Sequence, residues 1–274
     1  MREAEAGIGA PAPAGDSAFD GPVPILYDRC LVPLLFAPYA ADLARRAAAF
    51  DPREILEVAA GTGIVTAALA EGLPGADIVA TDLSAAMLEC AAARAGRSNV
   101  RFKTADAQAL PFADGRFDLV VCQFGLMFFP DRRRALREAL RVLRPGGRCL
   151  LNTWNRIEDN PVTDRVAAAV ANLFAGDPPD FFDRLPFGYH DIAVIEADVR
   201  ASGFGTVSIE TITCETLVIA EEAALGLCQG TPLRAELARR GADAVAAATH
   251  AAREALAPFD GRSVPMSAHV VTAR

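Results

Sequence analysis

The stretch ILEVAAGTGIVTAAL, residues 55–69, decides the fold of this 274-residue chain. It reads as an apolar strand ending at Glu57 and Val58, a turn containing Gly61 and Gly63, and an apolar helix. A strand that passes through a glycine-rich turn directly into a helix is typical of the first crossover in nucleotide-binding α/β sheets. We therefore predict an α/β fold that binds a ligand where this strand ends.

Short apolar strands alternate with helices on both sides of this turn. The predicted strands are 54–58, 77–81, 100–104, 117–122 and 147–154, and the helices are 63–72, 84–95 and 131–143. Parallel neighbours in a sheet need crossover connections, usually helices. The alternation therefore predicts a doubly wound, mostly parallel sheet with helices on both faces.

The two ends of the chain carry additions to this sheet. Residues 1–22 mix Ala, Gly, Pro and acids and are predicted to be a flexible tail. Residues 23–50 are predicted to form N-terminal cap helices that are broken at Pro33 and Pro38. The later pattern predicts helices at 161–175, 191–202, 221–240 and 242–257, and strands at 206–219 and 266–273. We expect a core of 51–220 and 259–274, with 221–258 inserted before the last strand as a helical lid.

Composition excludes several classes of function. The net charge of −8 argues against nucleic acid or an anionic membrane as partner. The six cysteines are scattered without a CxxC pair, which predicts a reduced, cytoplasmic protein without disulfides or structural zinc. The longest apolar runs carry charges before about 18 residues, so neither a signal peptide nor a membrane span is expected.

The turn lacks the features of a phosphate-binding loop. It has no GK(S/T) ending, and Thr66 stands where a dinucleotide fingerprint needs a third Gly or Ala. Glu57 at the strand end would repel a diphosphate. A carboxylate there suits a ligand that carries positive charge, such as S-adenosylmethionine with its sulfonium and ammonium groups.

Three acids follow three consecutive strands and support the same ligand. Besides Glu57, Asp82 stands 19 residues after Gly63, where a carboxylate accepts the hydroxyls of an unphosphorylated ribose. Asp106 follows the third strand, in reach of the exocyclic amine of adenine. We predict S-adenosylmethionine rather than NAD.

The run from Ile55 to Trp154 resembles the class I S-adenosylmethionine-dependent methyltransferases, in the small-molecule branch that includes quinone-biosynthesis enzymes. The matching motifs are EVAAGTG (57–63), ATDLSAAML (80–88), ADAQALPFADGRFDLVV (105–121), CQFGLMFFPD (122–131) and LRPGG (143–147). The resemblance implies a Rossmann-like, seven-stranded sheet, and S-adenosylhomocysteine as product. Ala59 departs from the family, which often has glycine there.

The resemblance also implies which residues bind the cofactor. The methionine, ribose and adenine sides would be met by Glu57, Ala59, Gly61, Gly63, Asp82, Leu83, Met87, Asp106, Ala107 and Gln108. Gln123 and Phe124 would lie between the methionine part and the methyl acceptor, and Tyr27 would close over the cofactor.

Catalytic groups are harder to identify. His190, in PFGYHD (186–191), and Tyr27 are the candidates, with His190 read either as a general base or as a structural loop histidine. The Phe- and Pro-rich loop 176–190 suggests a small apolar or aromatic acceptor, bound by a monomer or homodimer. Two alternatives stay open: an arsenic- or other thiol-assisted methyltransferase, and a non-catalytic S-adenosylmethionine-binding protein.

Overall fold

The sheet has seven strands in the order β3-β2-β1-β4-β5-β7-β6 in the computed structural model, which describes residues 23–274. The predicted tail at 1–22 lies outside the described residues. The strands are β1 Glu54–Val58, β2 Asp77–Asp82, β3 Val100–Thr104, β4 Phe117–Gln123, β5 Leu143–Trp154, β6 Val207–Leu217 and β7 Ser263–Ala273. β1 to β5 pair in parallel, and β7 runs antiparallel to β5 and β6. The predicted mostly parallel, seven-stranded Rossmann-like sheet is confirmed.

Helices cover both faces of this sheet. They are α1 Val23–Leu26, α2 Ala37–Ala48, α3 Ile64–Gly72, α4 Ala85–Ala95, α5 Arg132–Val142, α6 Pro161–Leu173, α7 Phe181–Arg184, α8 Ile192–Ala201, α9 Ala220–Gln229, α10 Leu233–Ala238 and α11 Ala244–Leu256. Asp191, the first residue of the predicted helix 191–202, caps α8 by accepting the Ala193 N–H.

The central strand explains the apolar run in the opening stretch. Ile55 and Leu56 point to opposite faces of β1, and both side chains are fully buried. Ile55 packs with Leu43 and Leu69 on one face, while Leu56 packs in the larger core on the other. A strand covered on both faces has no solvent side, so it reads as continuous rather than alternating hydrophobicity.

The predicted breaks at Pro33 and Pro38 are wrong. The chain stays helical from Val23 to Ala48, with a π-helical segment at Tyr27–Phe36 between α1 and α2. The Ala37 N–H donates to the Val32 carbonyl five residues earlier, so wider turns carry the helix past Pro33. Pro38 follows this wider segment as the second residue of α2, and the helical run continues through it.

This N-terminal helical run passes a length-and-composition test for a membrane span. Of its apolar window, however, 56% is buried inside the protein. The buried side chains include Leu31, Leu35, Tyr39 and Leu43. Core helices pass the same test, so the run is weak evidence for a span.

The predicted insertion lies between β6 and β7. Its first helix is shorter than expected, because the chain turns at Gly230 and Pro232 and continues as α10. α9 packs on the π-helical segment and on α6, and α11 packs on both α6 and α9. The insertion thus lies beside the N-terminal helical run.

Candidate functional site

A cavity of about 420 Å³ opens at the carboxyl ends of β1, β2, β3, β4 and β5. Strand order reverses between β1 and β4, and ligands of open α/β sheets bind outside the strand ends at such a switch point. The sequence-predicted residues that line the cavity are Tyr27, Ala59, Gly61, Asp82, Leu83, Met87, Asp106, Ala107, Gln108, Gln123 and Phe124. Three predicted residues do not line it: Glu57, Gly63 and His190.

The cavity has two parts. We call the cofactor half the part at the ends of β1, β2 and β3, from Ala59 to Gln108. We call the acceptor half the part lined by Phe36, Phe124, Trp154 and cavity residues between 163 and 232. Gln123 lies between the halves, with its amide nitrogen donating to the Phe36 carbonyl at 3.2 Å.

The glycine turn bends sharply at the edge of the cofactor half. Ala59 and Gly61 both have φ of 56°, in the left-handed region. A Cβ added to Gly61 would meet no atom within 4 Å and would project into open space. Gly61 therefore keeps the backbone accessible to a ligand, while Ala59 tolerates an uncommon conformation at the site where the family often has glycine.

Asp82 organises the cofactor half from the end of β2. Its Oδ2 accepts the Gly61 N–H at 2.8 Å, and its Oδ1 accepts the Ser84 N–H at 2.9 Å. Burial raises the pKa of the Asp82 carboxyl, although these backbone donors favour the charged form. The carboxylate thus joins the glycine turn to the start of α4 and keeps lone pairs for ligand hydroxyls.

Glu57 is a buried acid behind the cavity. Its side chain is 2% exposed, and its Oε2 accepts the Thr66 hydroxyl of α3 at 2.6 Å. Burial raises the pKa of the Glu57 carboxyl to about 8, and the negative charge of Asp82 adds to this rise. The side chain contacts α3 rather than the cavity surface.

This raised pKa makes stability depend on pH. The folded protein holds the Glu57 proton between pH 4.5 and about 8, where the unfolded chain has released it. The free energy of unfolding should therefore fall as pH rises through this window. Glu57→Gln stays neutral over this range. Between pH 5 and 8 we therefore expect its free energy of unfolding to fall by on the order of 1–3 kcal/mol less than that of the wild type. Urea unfolding at pH 5, 6.5 and 8 measures it, and parallel pH profiles for both proteins would contradict it.

Gly63 allows the start of α3 to pack closely against α4. It is the N-cap of α3 at φ 82°, and an added Cβ would lie 2.8 Å from both Cα and Cβ of Ala91 in α4. Without a side chain at Gly63, α3 and α4 approach each other closely beneath the cofactor half. Helix contact rather than ligand contact therefore explains this glycine in the structure.

The loop after β3 lines the part of the cavity that is predicted to bind adenine. Asp106 is exposed, and its Oδ1 accepts the Gln108 N–H at 2.8 Å. The Gln108 Oε1 accepts the Asp131 N–H at 2.9 Å, which ties the loop to the start of α5. Asp106 thus reaches the cavity from a loop that is tied to the start of α5.

The N-terminal helical run covers the cofactor half. Tyr27 stacks on Phe36 with ring centroids 5.0 Å apart, and both rings line the cavity. Next to it, Asp28 pairs with Arg94 at 2.5 Å, and Arg94 also donates to the Thr62 carbonyl in the glycine turn at 3.1 Å. Burial, and the negative charges of Asp82 and Asp28, raise the pKa of the Tyr27 hydroxyl.

Aromatic rings form the wall of the acceptor half. Phe124 and Trp154 stack with centroids 3.8 Å apart and planes at 8°, and Phe187 also stacks on Trp154, with centroids 5.8 Å apart. Phe124 holds φ of 52°, a strained backbone for a bulky residue that this packing stabilises. Sequence reasoning identified Phe124 but missed Trp154, whose position at the end of β5 was the available signal.

His190 lies away from the cavity. Its Nδ1 hydrogen-bonds the Phe187 carbonyl at 2.7 Å, and its backbone carbonyl accepts from His269 Nε2 at 3.0 Å. Both contacts fix the loop that carries Phe187 against β7. These contacts favour the structural reading of His190, and its role as a general base stays a prediction.

Comparison with known proteins agrees with this geometry. Residues 56–151 match the family model described as a methyltransferase domain. The demethylmenaquinone methyltransferase of Thermus thermophilus is 45% identical over 121 residues, covering 41% of this chain and 55% of that protein. The demethylmenaquinone methyltransferase of Clavibacter sepedonicus is 36% identical over 170 residues, covering 58% of this chain and 68% of that protein. The chain spans about half the length of the Thermus protein.

A solved structure shows the same fold at low identity. Phosphoethanolamine N-methyltransferase 2 of Haemonchus contortus, in complex with phosphomonomethylethanolamine and S-adenosylhomocysteine, superposes with a TM-score of 0.57. It is 16% identical and covers 91% of this chain and 56% of that one, so the likeness concerns the fold alone. The family model and the Clavibacter relative together show that the chain belongs to the class I S-adenosylmethionine-dependent methyltransferases, of the quinone-biosynthesis type.

Proposed function

We propose that the protein transfers a methyl group from S-adenosylmethionine to a small apolar or aromatic metabolite. One observation carries the proposal: a single cavity joins a half with acidic groups at the strand ends to a half with aromatic walls. Asp82 and Asp106 suit the hydroxyls and amine of an adenosine, and neither half presents the cationic side chains that a diphosphate needs among the described lining residues.

The residues present fit this cofactor. Asp82 would hold the ribose hydroxyls, Asp106 the adenine amine, and the open backbone at Gly61 the methionine part. When bound, S-adenosylmethionine supplies an activated methyl group. The chain's own contribution is then to orient the acceptor and exclude water, and orientation is worth about 7–11 kcal/mol in well-aligned reactions. Tyr27 and Phe36 line the cavity and would help to exclude water from it.

We propose a ring compound of the quinone type as the acceptor class. The Thermus and Clavibacter relatives are demethylmenaquinone methyltransferases, and the aromatic wall around Trp154 supports a planar apolar substrate here. Loop 176–190 and the insertion 221–258 would form the lid, since Phe187, Leu227 and Pro232 all line the acceptor half. Opening of this lid would admit the acceptor, and closure would keep water out.

The two alternatives find less support. Thiol-assisted chemistry needs accessible thiolates, but burial raises the pKa of the Cys122 thiol to about 12 and that of Cys30 to about 11. No cysteine among residues 23–274 lines the cavity. A non-catalytic binding protein would have a blocked acceptor half, whereas this half is open space.

Free cysteines also support a cytoplasmic location as part of the proposal.

Calorimetry tests the proposal at its first step. We expect binding of S-adenosylmethionine and S-adenosylhomocysteine, and no binding of NAD or ATP at the same concentrations, because Asp82 and Asp106 repel phosphates. NAD affinity equal to or tighter than that for S-adenosylhomocysteine would contradict the cofactor assignment. Labelled S-adenosylmethionine incubated with metabolite extracts then identifies the methylated product.

A further inference from the structure

The acceptor half contains two side chains with hydroxyl groups among its described lining residues, Thr163 and Thr231. The Thr231 hydroxyl is already used locally. It donates to the Leu227 carbonyl at 2.8 Å and accepts the Leu233 N–H at 3.3 Å. These bonds shape the turn between α9 and α10, so Thr231 has little hydrogen-bonding capacity left for a ligand.

The hydroxyl of Thr163, unlike that of Thr231, is not used in local hydrogen bonds. It lines the cavity and is 2% exposed, yet its hydroxyl makes no hydrogen bond to any residue between 23 and 274. The hydroxyl oxygen is also not among the atoms sealed in the interior without a partner. Buried hydroxyls normally find a partner, because an unmade bond costs about 1–3 kcal/mol. A ligand in the acceptor half is the partner that the geometry leaves for it.

The position of Thr163 in α6 indicates which ligand atom it would meet. α6 begins at Pro161, so Thr163 lies in the first turn, at the positive end of a 13-residue helix. Asn160, the N-cap, makes no side-chain bond to this turn, because its side chain pairs with the backbone of Ser267 at 3.0 and 3.1 Å. The uncapped turn and the hydroxyl together favour an electron-rich oxygen over a positively charged group.

We propose that the Thr163 hydroxyl donates a hydrogen bond to an oxygen of the methyl acceptor, a hydroxyl, phenolate or carbonyl on a flat and otherwise apolar ring. Stacked rings such as Phe124 and Trp154 bind the apolar part, and Thr163 selects oxygen-bearing rings and sets their orientation beside the cofactor half. This inference rests on the proposed function and adds a specificity-determining residue to it.

Two probes of matched size test the assignment, 2-naphthol and 2-methylnaphthalene. Their binding to protein saturated with S-adenosylhomocysteine is measured by calorimetry. We expect the wild type to bind 2-naphthol about five- to tenfold more tightly, the value of one buried hydrogen bond. Thr163→Val, nearly the same shape without the hydroxyl, should reduce this advantage below about twofold, and Thr163→Ser should retain it.

The outcomes separate this inference from the proposed function. A 2-naphthol advantage that persists in Thr163→Val overturns the role of Thr163, and so does its loss in Thr163→Ser. Failure of the wild type to bind either naphthalene while it binds S-adenosylhomocysteine overturns the apolar ring class. Failure to bind S-adenosylhomocysteine in all three proteins overturns the proposed function itself.

Discussion

Replacing Asp82 with alanine should weaken binding of S-adenosylhomocysteine at least tenfold while the fold stays intact. The carboxylate would contribute charge-assisted hydrogen bonds to the ribose, worth about 1.5–3 kcal/mol each. The same change removes the acceptor for the Gly61 and Ser84 N–H groups, so the glycine turn loses its tie to α4. Both losses should weaken the binding of S-adenosylhomocysteine. Calorimetry measures the affinity, and circular dichroism checks the fold.

Asp77 offers a matched control on the same strand. It lies at the opposite end of β2, and its half-exposed side chain approaches Arg101 at 3.9 Å. Asp77→Ala removes the same charge and the same atoms from β2 but should leave the affinity within about twofold, because exposed pairs contribute little. Asp82→Asn adds a second comparison, since it keeps an oxygen without the charge. Unchanged affinity in a folded Asp82→Ala protein would exclude the carboxylate from the cofactor site.

The cofactor half is the part of the molecule that sequence predicts best. Its elements are local: a strand, a turn and a helix follow one another within about fifteen residues, and each has its own pattern. Parallel pairing then brings the strand ends to one edge. Ala59, Asp82 and Asp106, distant in sequence, therefore line one cavity as expected.

Sequence could not show which way individual side chains point within that half. Glu57 stands at the strand end, but alternation along β1 puts it on the same face as Ile55, toward α3, where Thr66 meets it. Its neighbour Val58 faces the cavity instead. An acid one position away from the expected face thus becomes a buried partner of a helix.

The acceptor half was less predictable, since tertiary packing assembles it. Phe36, Trp154 and Leu227 come from the N-terminal run, the end of β5 and the insertion, and no local pattern links them. Phe- and Pro-rich composition indicated loop 176–190, yet it could not distinguish Phe187 in the wall from His190 outside it. Thr163 carried no signal at all, because a threonine in the first turn of a helix is ordinary.

Gly63 leads to the second large effect, on stability. Gly63→Ala should lower the free energy of unfolding by about 2–4 kcal/mol, from a left-handed backbone that alanine disfavours and from overpacking. The φ of 82° sets the first cost, and the 2.8 Å approach to the Ala91 backbone sets the second. Because that neighbour is the backbone of α4, it cannot rotate away as a flexible side chain would. The affinity of the remaining folded protein for S-adenosylhomocysteine should change less than in Asp82→Ala.

Gly72, the last residue of the same helix, provides the control for this change. A Cβ there meets no atom within 4 Å, and its φ lies outside the left-handed region. Gly72→Ala should therefore be neutral or stabilise by up to about 1 kcal/mol, as alanine does in helices. Urea unfolding of both variants gives the comparison. If the two alanines cost the same and only Gly63→Ala loses S-adenosylhomocysteine binding, Gly63 is a ligand contact, as the family resemblance implied, and the packing explanation fails.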